Sequence, residues 1–199
     1  MSPAETFLDA AEAFSDQVAE LPGDLVGPGL GEWDLRALVG HASRSVLTVS
    51  TYLGQPADRV EVESAADYYV AIDELGLDPA DIAERGRQAG VALGDDPTAA
   101  VRHMVETVAD QLVAAADDPV ITTIAGGMRL TDYLPTRTFE LVVHGLDIAA
   151  AVSQPWSPPD DALAEAVALA GRIAVLRGDG ARLLRLVTGR EDGGFSVVM

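Results

Sequence analysis

Glu140 and His144 stand four residues apart in "RTFELVVHGLDIA", residues 137–149, a run that is otherwise almost wholly apolar. At about 100° per residue, a spacing of four leaves two side chains roughly 40° apart and one turn above each other, so the pair forms a single polar stripe on a helix. Arg137 falls just below that stripe and Asp147 just above it, while Phe139, Leu141, Val142, Val143, Leu146 and Ile148 cover the rest of the circumference. A helix apolar on so many sides belongs in the middle of a bundle, and its polar stripe has to meet solvent, an ion-pair network or a metal. A carboxylate and an imidazole one turn apart can ligate one divalent ion. A second imidazole from a facing helix would complete a set of three and leave a coordination position open for water or substrate. The plainer alternative is an ion pair on a half-exposed seam, joined by Arg137.

The chain carries 3 histidines, which the helical pattern separates. His103 lies opposite the apolar stripe of its helix, in line with Glu106 and Asp110, and reads as part of a solvated face rather than as a ligand. His41 instead flanks an apolar stripe, and Ser45, Thr48 and Tyr52 follow it at helical steps, which stacks the four into a column that reads as the wall of a polar groove. The alternative for His41 is an imidazole at a helix boundary, hydrogen-bonded to a neighbouring backbone. Cysteine is absent, which removes disulfides, thiolate zinc sites and a cysteine nucleophile together. Any thiol chemistry here needs a thiol supplied from outside.

Four long helices are expected to hold these residues. "PAETFLDAAEAFSDQVAELP" sets Phe7, Ala11, Phe14, Val18 and Leu21 at helical spacing and stops at Pro22 and Gly23. The second helix opens on Asp34 as N-cap and carries a stripe of Leu35, Leu38, Val39, Ala42, Val46 and Val49 with His41 at its flank. Residues 64–93 are interrupted by Gly76, Pro79, Gly86 and Gly90, which suggests two short helices and a mobile excursion. A third long helix follows with Val101, Val105, Val108 and Leu112 on one face, stopping before Pro119. "VITTIAGGMRL" puts β-branched residues beside a Gly-Gly pair and reads as a small hairpin. The Glu140/His144 helix is the fourth. "SQPWSPPDD", with three prolines, reads as a linker, followed by a helix near Ala162 to Leu176, a "RLLRLVTGR" segment and a terminal "GFSVVM" that alternates like an edge strand.

At 199 residues the chain can bury a substantial core, and 13 basic against 32 acidic residues leave a net charge of −19 with no lysine at all. Such a balance argues against nucleic acid as a partner, because neutralising phosphates needs a basic face. No basic-then-apolar leader and no apolar run of membrane-spanning length is visible, so the expected location is cytoplasmic, with no membrane partner.

Two of these segments resemble a known family. "GEWDLRALVGHAS" is similar to the tryptophan-to-histidine segment that opens the second helix of the mycothiol-dependent maleylpyruvate isomerase family, within the DinB-like superfamily of metal-binding bundles. "DYLPTRTFELVVHGLDIA" resembles that family's second metal segment, and "LLRLVTGR" its C-terminal signature. The resemblance implies a mainly α fold: a DinB-like four-helix bundle over 1–152 with a small β-hairpin, then a linker and a short α/β C-terminal extension over 153–199, truncated relative to the family's C-terminal domain. Carried over by position, the family's ligands land on His41, Glu140 and His144, with zinc or another divalent metal as the ion and mycothiol as the thiol cofactor. Glu140 points to the mycothiol-linked branch, since many DinB-like proteins have a histidine there. Ser45 and Tyr52, in the His41 column, are the expected cofactor-binding residues, and Arg190 in "TGR" is the expected catalytic arginine, holding a substrate carboxylate.

The function so implied is a metalloenzyme that uses mycothiol to add to or isomerise a small electrophilic substrate, as a maleylpyruvate isomerase or a thiol S-transferase. A homodimer is left open. The competing expectation is a non-catalytic metal- or ligand-binding bundle, which the shortened C-terminus favours. A purely structural interaction protein would require His41 and Glu140 to lie apart.

Overall fold

The computed structural model describes residues 1–194 and 196–198. The described residues form eight helices and one two-stranded sheet. Helix α1 spans Pro3–Glu20, α2 Leu35–Leu53, α3 Ala65–Glu74, α4 Pro79–Ala92 and α5 Pro97–Ala114. After β1 (Val120–Thr123) and β2 (Gly126–Arg129) come α6 (Leu130–Val152), α7 (Asp160–Leu176) and α8 (Gly180–Val187). None of these helices is long and apolar enough to cross a membrane.

Three of the long helices, α1, α2 and α5, start where short polar side chains satisfy free N–H groups. Ser2 and Glu5 cap α1 reciprocally, the Glu5 N–H donating to Ser2 Oγ and the Ser2 N–H to Glu5 Oε2 at 2.7 Å. Asp34 caps α2 through the Ala37 N–H at 2.8 Å, and Asp96 caps α5 through the Ala99 N–H at 2.9 Å. The central bundle is a ring in which α1 and α2 each pack against both α5 and α6. Phe7, Phe14, Leu35, Leu38, Leu134, Leu141 and Ile148 lie fully inside it. This is the mainly helical bundle with a small hairpin that the sequence pattern anticipates.

Residues 64–93 do hold two helices, but Gly86 and Gly90 lie inside α4 and are contact points rather than breaks. A Cβ on Gly40 of α2 would come within 2.1 Å of the Gly90 amide nitrogen, so the two helices approach at backbone distance. Trp33 lies across Gly86 and donates from its indole nitrogen to the Ala83 carbonyl at 2.9 Å, fixing α4 against the entrance of α2. The hairpin pairs Val120 with Arg129 and Thr123 with Gly126, and the α2–α3 connection runs along it through bonds from Ala57 N–H to the Val120 carbonyl and from Glu61 N–H to the Gly127 carbonyl.

The chain beyond 152 continues the same core. Trp156 of the proline-rich stretch sits on Gly145 of α6, where an added Cβ would meet its ring at 2.3 Å. Ala162, Ala166, Leu169 and Ile173 of α7 join the cluster that contains Phe7 and Tyr69. The prolines shape a tight return of the chain rather than a spacer. For the expected terminal strand, Phe195 and Met199 lie outside the described residues, and the described Ser196, Val197 and Val198 carry no strand pairing, so the extension as described is helical.

Candidate metal centre

His41 sits in the second turn of α2, and Glu140 and His144 face it from α6, which packs along α2. Their donor atoms all lie within 4.8 Å of one another, the one group of this kind among the described residues. About a hundred residues of sequence separate the two halves, and the α2–α6 contact closes that gap. The His144 and Glu140 side chains keep 12% and 22% of their surface, so the cluster is recessed yet reaches solvent.

Each member is held by a second group. Glu140 Oε2 lies 3.2 Å from His144 Nε2, and Glu140 Oε1 accepts from the Tyr69 hydroxyl at 2.7 Å. Tyr69 also reaches the Thr136 carbonyl at 3.2 Å, which ties α3 to the stripe. His144 Nδ1 faces Asp147 Oδ2 at 3.1 Å, an arrangement that fixes the ring and leaves Nε2 directed into the cluster. His41 is wedged between the Trp33 ring, with centroids 4.4 Å apart, and the edge of His144 at 4.8 Å.

The electrostatics follow from this packing. Burial, then the neighbouring His144, holds the His41 imidazole down at about 4, which leaves it neutral at pH 7. Burial also opposes charge on His144, but its hydrogen bonds to Asp147 and Glu140 outweigh that and lift it to about 9. Burial would raise Glu140, yet the hydrogen bond and charge of His144, aided by Arg137 and Tyr69, bring it down to about 2. In the metal-free protein a proton on His144 therefore stands where a cation would neutralise Glu140.

The donor set suits such a cation. One carboxylate and two imidazoles are ligands that zinc and similar divalent ions accept. Nδ1 of His41 is buried without a hydrogen-bond partner, a cost that coordination through this nitrogen would offset.

The model of the family described as mycothiol maleylpyruvate isomerase N-terminal domain matches residues 5–149. The chain belongs to that family. The match takes in α1 through most of α6 and all three donor residues, and α7 and α8 lie beyond it. No curated protein and no solved structure gives a match.

Around this centre of the isomerase-family domain the structure also gathers all 4 tyrosines of the chain. Tyr133 meets the Tyr52 ring at a tilt, 5.5 Å between centroids, and the Tyr68 ring edge-to-face at 5.7 Å, and its hydroxyl donates to Thr48 Oγ1 at 3.1 Å. Of the column His41, Ser45, Thr48 and Tyr52, Ser45 is buried and Tyr52 half-buried against Tyr133. His103 is exposed, as its helical phase requires. Arg190 is not brought to the centre: it is exposed just past α8, which packs on α7, and its guanidinium donates to the Thr188 carbonyl at 3.2 Å. Sequence reading missed Tyr68 and Tyr69, because α3 is a short helix ended at Gly76 whose pattern does not show which face it buries, and it undervalued Arg137, which packs on Tyr68 of that helix as well as on Tyr133 of its own.

Proposed function

We propose that this protein is a cytoplasmic metalloenzyme that joins mycothiol to a small electrophile, in the manner of a maleylpyruvate isomerase or a thiol S-transferase. The observation that supports this reading is the convergence of His41, Glu140 and His144 in a domain of the mycothiol maleylpyruvate isomerase family. A divalent ion held there, zinc by the donor chemistry, would supply Lewis acidity that lowers the pKa of an incoming thiol into the neutral range.

The chain's own residues do the rest. Asp147 keeps His144 in one tautomer and orientation, and the Tyr69 hydroxyl keeps Glu140 turned toward the histidines. Trp33 closes one side of His41 and excludes water from it. Tyr52 and Ser45 sit one to three turns further along α2, on the wall where the body of the thiol would lie. The chain has no cysteine that could compete for the electrophile. With a cis-unsaturated 2-oxo acid, addition of the thiol sulfur across the double bond leaves a single bond that rotates. Expulsion of the same sulfur then returns the trans isomer and the thiol unchanged. With an electrophile that lacks this exit, the adduct itself is the product.

Elemental analysis of untagged protein together with an assay of cis-trans isomerisation of maleylpyruvate tests the proposal. One equivalent of a divalent metal and isomerisation that requires mycothiol are expected. Full metal content with no thiol-dependent turnover on maleylpyruvate or on a thiol-reactive electrophile would contradict it and favour a binding bundle.

A further inference from the structure

In a chain with 32 acidic residues, two arginines beside the centre have no carboxylate within ion-pair distance among the described residues. Arg137 lies one turn before Glu140 on α6, half-buried, with its guanidinium carbon 5.0 Å from the Tyr133 ring centroid and 5.4 Å from that of Tyr68. Its Nε donates to Thr136 Oγ1 at 3.0 Å, and among the described residues no carboxylate lies within ion-pair distance of it. Glu140, the nearest acid in sequence, is engaged by Tyr69 and His144 instead. Arg44 lies three residues after His41 on α2 and is half-buried, with no hydrogen bond or ion pair to any described residue. The charges of both arginines are felt at the same two groups, His41 and Tyr68. Arg44, one turn beyond His41 on α2, and Arg137, one turn before Glu140 on α6, thus put a cation next to the ligand trio on each of two packed helices.

Keeping two guanidinium groups half-dehydrated with no carboxylate in direct contact is costly, and a protein this acidic could have supplied one cheaply. The planar fork of Arg137, clamped between two tyrosine faces, is pre-organised for two parallel hydrogen bonds to a carboxylate. We infer that Arg44 and Arg137 form an anion-binding arm of the site, which grips the carboxylate of an electrophilic substrate and presents its reactive carbon to the His41, Glu140 and His144 cluster. This inference deepens the proposed function and rests on it for the meaning of "substrate". It gives the carboxylate-holding role expected of Arg190 to residues that stand beside the centre.

The test is direct binding of maleate, a thiol-free dicarboxylate, to the zinc-loaded protein by titration calorimetry, with dimethyl maleate as the uncharged control. Arg44→Gln and Arg137→Gln should each weaken maleate binding by roughly tenfold or more, as expected for loss of charge-assisted hydrogen bonds. Dimethyl maleate should bind weakly and equally to all three proteins. Circular dichroism checks the fold of each variant. Where Arg137→Gln fails to fold, Arg137→Lys replaces it, because it keeps the charge, loses the fork and should still bind several-fold more weakly. A wild type with no saturable maleate binding overturns the inference. So does maleate binding that disappears with the zinc yet ignores both arginine changes, which would mean coordination to the metal alone. No thiol enters this measurement, so a failed thiol reaction would count against the proposed function and leave the arginine result standing.

Discussion

Glu140 carries three duties at once: it faces His144, accepts from Tyr69 and supplies the negative charge that draws in a cation. Glu140→Gln keeps the shape and removes that charge, so zinc affinity should fall by roughly two orders of magnitude or more while the fold survives, measurable by competition with a chromophoric chelator. Asp147 acts through His144, and Asp147→Asn should weaken zinc binding by about 10- to 100-fold, the usual effect of losing an outer-shell carboxylate. The pH dependence has a definite sign. His144 is raised to about 9 in the metal-free protein, so it is protonated at pH 7 and must release that proton to coordinate. Zinc affinity should therefore climb with pH and level off above about 9, with proton release visible as a buffer-dependent enthalpy; affinity flat between pH 6 and pH 9 would contradict the assignment. At this scale much was legible in the sequence, since the four-residue spacing and the phase of His41 single out the three donors. The tyrosine setting of Arg137 was not, because its Tyr68 side is supplied by α3, whose short, glycine-bounded pattern says little about which face it buries.

The helices place these residues through a few close contacts that single-sequence periodicity cannot see. Gly86 and Gly90 look like interruptions of a helix, yet they let α4 lie at backbone distance on α2, directly behind His41. A glycine that breaks a helix and a glycine that admits a neighbour look the same in sequence; only the partner tells them apart. Gly40→Ala should therefore destabilise the fold by about 2 kcal/mol or more, since its Cβ collides with the Gly90 backbone rather than with a movable side chain. Gly171, in the interior of α7 with nothing within 4 Å of a Cβ, is the contrasting case. Gly171→Ala should be neutral or stabilise by up to about 1 kcal/mol through helix propensity. Urea unfolding of both variants distinguishes a contact glycine from a spare one. The stripes of α1, α2 and α5 were readable because each buries one simple apolar face. The proline-rich stretch misled because the return of Trp156 onto Gly145 depends on a partner far away in sequence.

At the scale of the molecule, the fold's achievement is to bring α2 and α6 together so that residues about a hundred positions apart meet in one recess, within a chain whose net charge is −19. The absence of cysteine from the whole sequence also gives the molecule a clean spectroscopic background, because any thiolate bound to metal in this protein must have come from outside. The central claim is that His41, Glu140 and His144 hold one divalent ion with a position open to an external thiol. Its most direct test is the near-ultraviolet spectrum of the cobalt(II)-substituted protein on addition of mycothiol. The account predicts a sulfur-to-cobalt charge-transfer band that saturates at one thiol per metal and is lost in His144→Ala. Full cobalt occupancy with no such band, for mycothiol or for simpler thiols, would contradict it.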